Sequence, residues 1–318
     1  MRKLAPDAIT STPLIGRRTF TASLAALAIS VPFYTLMSEA AVTGPHTNKI
    51  PKSGEAIPII GMGSWITMNV GDDPVLRAAR AQVVKAFFDH GGAVIDSSPM
   101  YGSSEAVIGH SLARIANKQR LFSATKVWTQ TQWNGIRQMN NSFDLWGLKK
   151  FDLLQIHNLV DWENHLETLL KWKSEGRVRY IGVTTSHGRR HADMAEIMKN
   201  QPIDFVQFTY NLLDREAEQR LLPLAAERDL AVIINRPFRR GDLFDRFQDK
   251  PLPPWAAEID CRNWAQFFLK FVVSHASVTC AIPATSRVDH MVENMGAGRG
   301  RLPDAAMRAR MIRYIEDL

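Results

Sequence analysis

Short, nearly unbroken apolar runs alternate along most of the chain with longer stretches whose apolar positions recur every three or four residues. The runs lie at 58–65, 93–96, 121–127, 151–157, 178–184, 205–210, 231–235 and 278–282. Each reads as a strand covered on both faces, because neither face shows a polar alternation. The intervening pattern predicts helices over 74–90, 105–114, 133–146, 162–175, 191–199, 216–228, 263–275 and 289–295, with a last one over 304–315. The stretch 50–57, holding Pro51, Ser53 and Gly54, predicts a short hairpin ahead of the first strand.

Eight strand–helix units in one run predict an α/β fold, a closed (β/α)8 TIM barrel. The competing doubly wound open sheet would carry Gly-x-Gly-x-x-Gly after its first strand, and no such loop is present. One connection, 236–262, is long, which suits a functional loop or a lid. The barrel accounts for residues 41–318 and leaves 1–40 to be explained separately.

Those first forty residues have another character. Arg17-Arg18-Thr19-Phe20 precedes an uncharged apolar stretch, 21–37, and then Ser38-Glu39-Ala40. This resembles a twin-arginine export signal cut near Ala41. It implies a periplasmic protein, the Tat export machinery as a partner, and no stable membrane anchor after cleavage. The other readings are an ordinary first helix, which would leave the protein cytoplasmic, or an uncleaved anchor. The stretch is short of the roughly 20 apolar residues a spanning helix needs, and Ser30, Pro32 and Tyr34 interrupt it.

Composition adds little beyond exclusions. A net charge of +7 over 318 residues comes without a lysine/arginine run interleaved with aromatics, so a solvated basic surface is favoured over nucleic-acid binding. Cys261 and Cys280 are isolated and read as buried structural thiols. No His-Glu-x-x-His or cysteine/histidine spacing calls for a metal, and no Gly-x-Ser-x-Gly elbow points to a serine hydrolase.

In a barrel the informative residues are the polar ones at strand carboxyl ends. Asp96 ends the second strand and Tyr101 follows in a turn with Ser97, Ser98, Pro99 and Gly102. Lys126 lies near the end of the third strand, and His157 ends the fourth. Four ionisable groups from three successive units thus face one rim, which marks them as an active site.

Asp96, Tyr101, Lys126 and His157, in that order, resemble the catalytic tetrad of the aldo-keto reductases. The segments Gly61-Met62-Gly63-Ser64-Trp65, 95–102, 152–158, 176–183 and 282–294 are similar to that family as well. The resemblance implies a barrel that interconverts carbonyls and alcohols with NADPH, or alternatively NADH. Tyr101 would be the proton donor to an aldehyde or ketone. Lys126 would lower the phenol's pKa, and Asp96 would keep the lysine charged and oriented. His157 would hydrogen-bond the substrate oxygen.

The same resemblance implies a cofactor set. Thr184, Thr185 and Gln207 would meet the nicotinamide carboxamide. Thr285, His290, Glu293 and Asn294 would meet the adenosine phosphate and adenine. Two positions depart from the family. Asn235 stands where a stacking aromatic is usual, with Phe238 as the remaining ring to pack on the cofactor. Ala284 and His290 stand where lysine and arginine often grip the 2′-phosphate, which implies weakened preference for NADP or help from Arg239, Arg240 or Arg287. Trp65, Met100, Trp128 and Trp133 flank strand ends and are candidates for a substrate mouth. A binding or sensor protein that retains the cofactor with little turnover is the alternative function.

Overall fold

The computed structural model describes residues 44–318. The chain divides into two units, Met1–Ala40 and Ala41–Leu318, and the second contains all the described residues. The proposed export signal lies outside them.

A hairpin, β1 (Thr47–Lys49) and β2 (Ala56–Pro58), precedes eight parallel strands: β3 (Met62–Gly63), β4 (Val94–Asp96), β5 (Phe122–Val127), β6 (Phe151–Ile156), β7 (Val178–Thr184), β8 (Phe205–Thr209), β9 (Ala231–Asn235) and β10 (Cys280–Ala281). They pair in chain order, β3 to β10. Parallel bridges Ile60↔Ala281 and Gly63↔Ala284 join the last strand to the first and close the ring. The helices that return the chain outside are α1 (Pro74–Asp89), α2 (Ser104–Leu112), α3 (Gln132–Trp146), α4 (Trp162–Ser174), α5 (His191–Asn200), α6 (Leu221–Glu227), α7 (Asp242–Phe247), α8 (Trp264–Val273), α9 (Val288–Gly296) and α10 (Ala305–Glu316). The expected barrel is therefore what forms.

Several boundaries differ from expectation, each for a local reason. The stretch 50–57 is mostly the turn of the hairpin, whose strands lie on either side of it. The helix expected over 216–228 splits into a 3-10 turn at Glu216–Glu218 and α6, which starts just ahead of Pro223, a residue tolerated only in a first turn. The long connection 236–262 is ordered by α7 and a 3-10 stretch, Pro254–Ile259. Among the described residues no helix is long and apolar enough to cross a membrane.

The strands alternate across the barrel wall with a period of two. Outward residues such as Leu154, Ile156, Ile181, Val183, Val206, Phe208, Val232 and Ile234 pack against the helices. Inward residues at the amino ends form a second apolar cluster with Phe122, Leu153, Tyr180, Phe205, Ala231 and Cys280. The hairpin's Ile50 and Ile57 join that cluster and floor the barrel. Tyr180 donates its hydroxyl to Glu55 at 2.6 Å, so the floor is also tied to the strand wall. Two residues further along each strand the inward positions turn polar: Lys126 after Ala124, Gln155 after Leu153, Gln207 after Phe205, Asn235 after Ile233. An apolar floor and a polar upper layer are thus stacked in one barrel.

Candidate active site

Asp96 is the last residue of β4, and the pleat turns its carboxylate into the polar layer. Lys126, fully buried in β5, donates to Asp96 Oδ2 at 2.5 Å and to the Ser97 carbonyl at 2.8 Å. The other carboxylate oxygen, Oδ1, accepts from Gln155 Nε2 at 3.1 Å and from Gln207 Nε2 at 3.0 Å. Strands β5, β6 and β8 therefore each send one donor to the same carboxylate. A buried charge is tolerable only when paired and hydrogen-bonded in this way.

Tyr101 sits above this group on a 3-10 turn, Pro99–Tyr101. Pro99 presets the backbone, and the Ser98 hydroxyl caps the turn by accepting the Met100 N–H at 3.2 Å. Gly102 then takes φ +61, and a Cβ there would meet the Asn69 amide at 2.4 Å. Asn69 Oδ1 accepts from the Ser103 N–H at 2.9 Å, which locks the loop behind the tyrosine. The half-buried Tyr101 ring lies 5.4 Å from Lys126 Nζ and meets the His157 ring edge-on, centroids 5.7 Å apart at 89°. His157, at the end of β6, is 5% exposed, and its Nδ1 lies 2.8 Å from Ser98 Oγ.

Burial is the leading influence on the ionisable groups of this corner. Burial, followed by the Asp96 charge, pushes the Tyr101 phenol above its ordinary value. Lys126 lies 5.4 Å from the ring, with its ammonium engaged by Asp96 and the Ser97 carbonyl. Burial likewise pulls the Lys126 amine down, with Asp96 opposing. Burial and the neighbouring lysine push His157 well below the usual imidazole range, which makes it a neutral ring near pH 7.

The expected cofactor residues divide. Gln207 is in the polar layer, with its Nε2 committed to Asp96 and its Oε1 3.5 Å from Asn235 Nδ2. Thr184 is inward and buried, and its Oγ1 accepts the Asn158 N–H at 3.2 Å. Thr185 turns outward, where its hydroxyl meets Met194 Sδ at 3.8 Å. Phe238 is drawn into the outer core against Phe244, ring centroids 4.8 Å apart, so it is not turned to the barrel mouth. Asn235 replaces a ring by a hydrogen-bonded link, accepting from Thr209 Oγ1 at 2.8 Å and donating to the Thr185 carbonyl at 2.9 Å.

At the far edge, Thr285 is buried and its Oγ1 accepts the Arg287 N–H at 3.1 Å. His290 is exposed, Glu293 half-buried and Asn294 buried within α9. Arg287 pairs with Asp289 in solvent, and Arg239 pairs with Asp214 and Asp242. Arg240 instead lays its guanidinium over the Trp65 ring, 4.4 Å from its centroid, joining the loop after β9 to the loop after β3. Met100 and Trp128 are exposed near the rim at 39% and 41%. Trp133 is the first-turn tryptophan of α3, stacked on Arg137, and lines a surface groove made by α3 alone.

Strand ends were a good guide, but the search for them passes over Gln155, which lies one pleat below His157, and over the serines of the turn. The signal for Gln155 is its inward parity with His157 and Leu153. Among the described residues no group of three histidines, cysteines or acidic residues is gathered for a metal ion.

The described barrel has known counterparts. The model of the aldo/keto reductase family matches residues 59–311. Among curated proteins, an aldo-keto reductase of Bacillus subtilis strain 168, YhdN, is 26% identical over 211 residues, covering 60% of this chain and 61% of that protein. A methylglyoxal reductase of Escherichia coli K12, YeaE, is 25% identical over 247 residues, covering 75% and 84%. Among solved structures, an aldo/keto reductase of Klebsiella pneumoniae in complex with NADP and acetate superposes with a TM-score of 0.68 at 24% identity, covering 82% of this chain and 92% of that one. At that identity the superposition speaks for the fold.

Proposed function

The chain belongs to the aldo/keto reductase family, and from that premise we propose that its polar layer reduces a small aldehyde or ketone to an alcohol with NADPH, with NADH as the alternative. One observation carries the assignment of roles: a fully buried Lys126–Asp96 pair lies directly beneath a half-buried phenol, with a neutral imidazole at right angles to it. A hydride delivered to a carbonyl carbon leaves negative charge on oxygen, so that oxygen needs a proton and a donor. Tyr101 supplies the proton and His157 the hydrogen bond. The phenol, pushed up by burial and by Asp96, is held in its protonated form near neutral pH.

The residues present fit a dinucleotide. Gln207 is held with its Nε2 on Asp96, and its amide oxygen, which has only a long 3.5 Å bond from Asn235, would also accept a carboxamide N–H. Arg236 has its Nε and Nη1 buried without a partner, which suits an anionic group such as a diphosphate. The reduced nicotinamide supplies the hydride when bound. Gln207 and Thr184 would orient it, while the Arg240–Trp65 contact bridges the two loops that flank the barrel mouth.

The deciding experiment is to follow NADPH and NADH oxidation with a panel of aldehydes, ketones and dicarbonyls such as methylglyoxal, which the Escherichia coli relative's name makes the first to try. Wild type should turn over and Tyr101→Phe should not. An inert wild type that still binds NADPH would favour the retaining sensor.

Residues 1–40 serve as a cleaved twin-arginine leader in this reading and 41–318 as the exported barrel, supported by Arg17-Arg18 and the uncharged stretch behind them. Arg17→Lys/Arg18→Lys should hold the protein in the cytoplasm. Wild type found in the cytoplasm would leave it a cytoplasmic reductase, and a variant exported as well as wild type would remove the arginine pair from the leader's role.

A further inference from the structure

Ser98 caps the turn that carries Tyr101. It is fully buried at the carboxyl end of β4, between the tyrosine's turn and the histidine of β6. Its Oγ has two neighbours: the Met100 N–H at 3.2 Å and His157 Nδ1 at 2.8 Å. A backbone amide can only donate, so the first contact uses a lone pair of Oγ. Oγ keeps a second lone pair, but among the described residues its one proton has no acceptor in reach other than Nδ1, so the arrangement that leaves no buried donor unpaired has Oγ–H donating to Nδ1. A neutral imidazole that accepts at Nδ1 must carry its own proton at Nε2. Among the described residues Nε2 has no hydrogen-bond partner, while burial and Lys126 keep the ring uncharged.

We propose that Ser98 is a positioning residue that fixes His157 as the Nε2–H tautomer, so that Nε2 presents a donor to the substrate's carbonyl oxygen. The proposal rests on the reductase reading above and deepens it. One hydroxyl then does two things: it sets the turn that carries Tyr101 and the proton that His157 offers. The two groups that meet the oxygen come from different strands, and Ser98 is the atom-level link between them. An alanine at 98 would free the ring to rotate and to place its proton on either nitrogen, and molecules protonated at Nδ1 would offer a lone pair to an oxygen.

The test is ring-nitrogen NMR on histidine-labelled protein, with His157→Gln identifying the His157 signals. Wild type should show one neutral tautomer, protonated at Nε2, and Ser98→Thr, which keeps the hydroxyl, should match it. Ser98→Ala should show both tautomers, and its kcat for carbonyl reduction should fall about tenfold. Its cofactor Kd should stay within about twofold of wild type, a split that general loosening of the site would not give. A wild-type ring protonated at Nδ1 overturns the proposal, and so does an alanine variant that keeps a pure Nε2–H ring. If Ser98→Ala fails to fold, the wild-type spectrum alone still decides against or for the Nε2–H assignment. The spectra need no turnover, so an inactive wild type with an Nε2–H ring would sink the reductase reading and leave the tautomer assignment standing.

Discussion

The corner around Asp96 and the segment 284–294 share one rim of the barrel, yet they are held by opposite means. In the corner, three strands each place a donor on one carboxylate, and both members of the ion pair are buried. In the segment, the corresponding charges, Arg287 and Asp289, pair in solvent with side chains 62% and 59% exposed, and His290 is exposed beside them. A side chain fixed from several directions cannot be exchanged without unsettling its partners. One held by a single exposed neighbour can be replaced at little cost. The departures from the family pattern fall mainly on the second kind.

The sharpest way to break this contrast is at the oxygen itself. Tyr101→Phe should lower kcat by roughly a thousandfold or more, the upper range for loss of a general acid, while NADPH binding followed by fluorescence is retained. Residual turnover within tenfold of wild type would move the proton donor elsewhere. Next in size is the pair beneath it. Lys126→Met leaves Asp96 charged and unpaired in the barrel, which should cost about 3–5 kcal/mol in urea unfolding. Adding Asp96→Asn should restore much of that loss, and no recovery would mean the lysine acts by packing alone.

A smaller effect concerns acid. His157 is held well below the ordinary value of 6.5, so the unfolded chain binds a proton there before the folded one does. Stability should therefore fall as pH drops through about 6.5, the unfolded value, and His157→Gln should flatten that limb. An unchanged slope would show that other groups set it. The smallest effect should come from the exposed segment. Asp289→Asn frees Arg287 and should tighten NADPH relative to NADH by about threefold, read from Kd ratios. A shift beyond about a hundredfold would mean the segment is as tightly specified as the corner.

How much could be read from the sequence follows the same division. The eight strands and the order Asp96, Tyr101, Lys126, His157 were legible because apolar runs and strand-end polar residues are properties of single positions. The two faces of each strand were not, because both are mostly apolar until the layer of Gln155, Gln207 and Asn235. Thr185 and Phe238 show the cost: their types fit a cofactor, but the pleat and the local turn aim one at Met194 and the other at Phe244. The raised phenol was hidden for a related reason. Proximity of an ammonium suggests a lowered value, and only the fold shows the burial and the Asp96 carboxylate that raise it.

The hairpin that carries Ile50 and Ile57 gives the barrel a single door. With the amino end filled by Phe122, Tyr180 and Phe205, nothing can enter or leave except across the opposite rim. Two reactants sharing one entrance must queue, and whichever seats deeper has to arrive first and depart last. Steady-state kinetics on this protein should accordingly follow a fixed order of addition, imposed by a plug at the end of the barrel farthest from the chemistry.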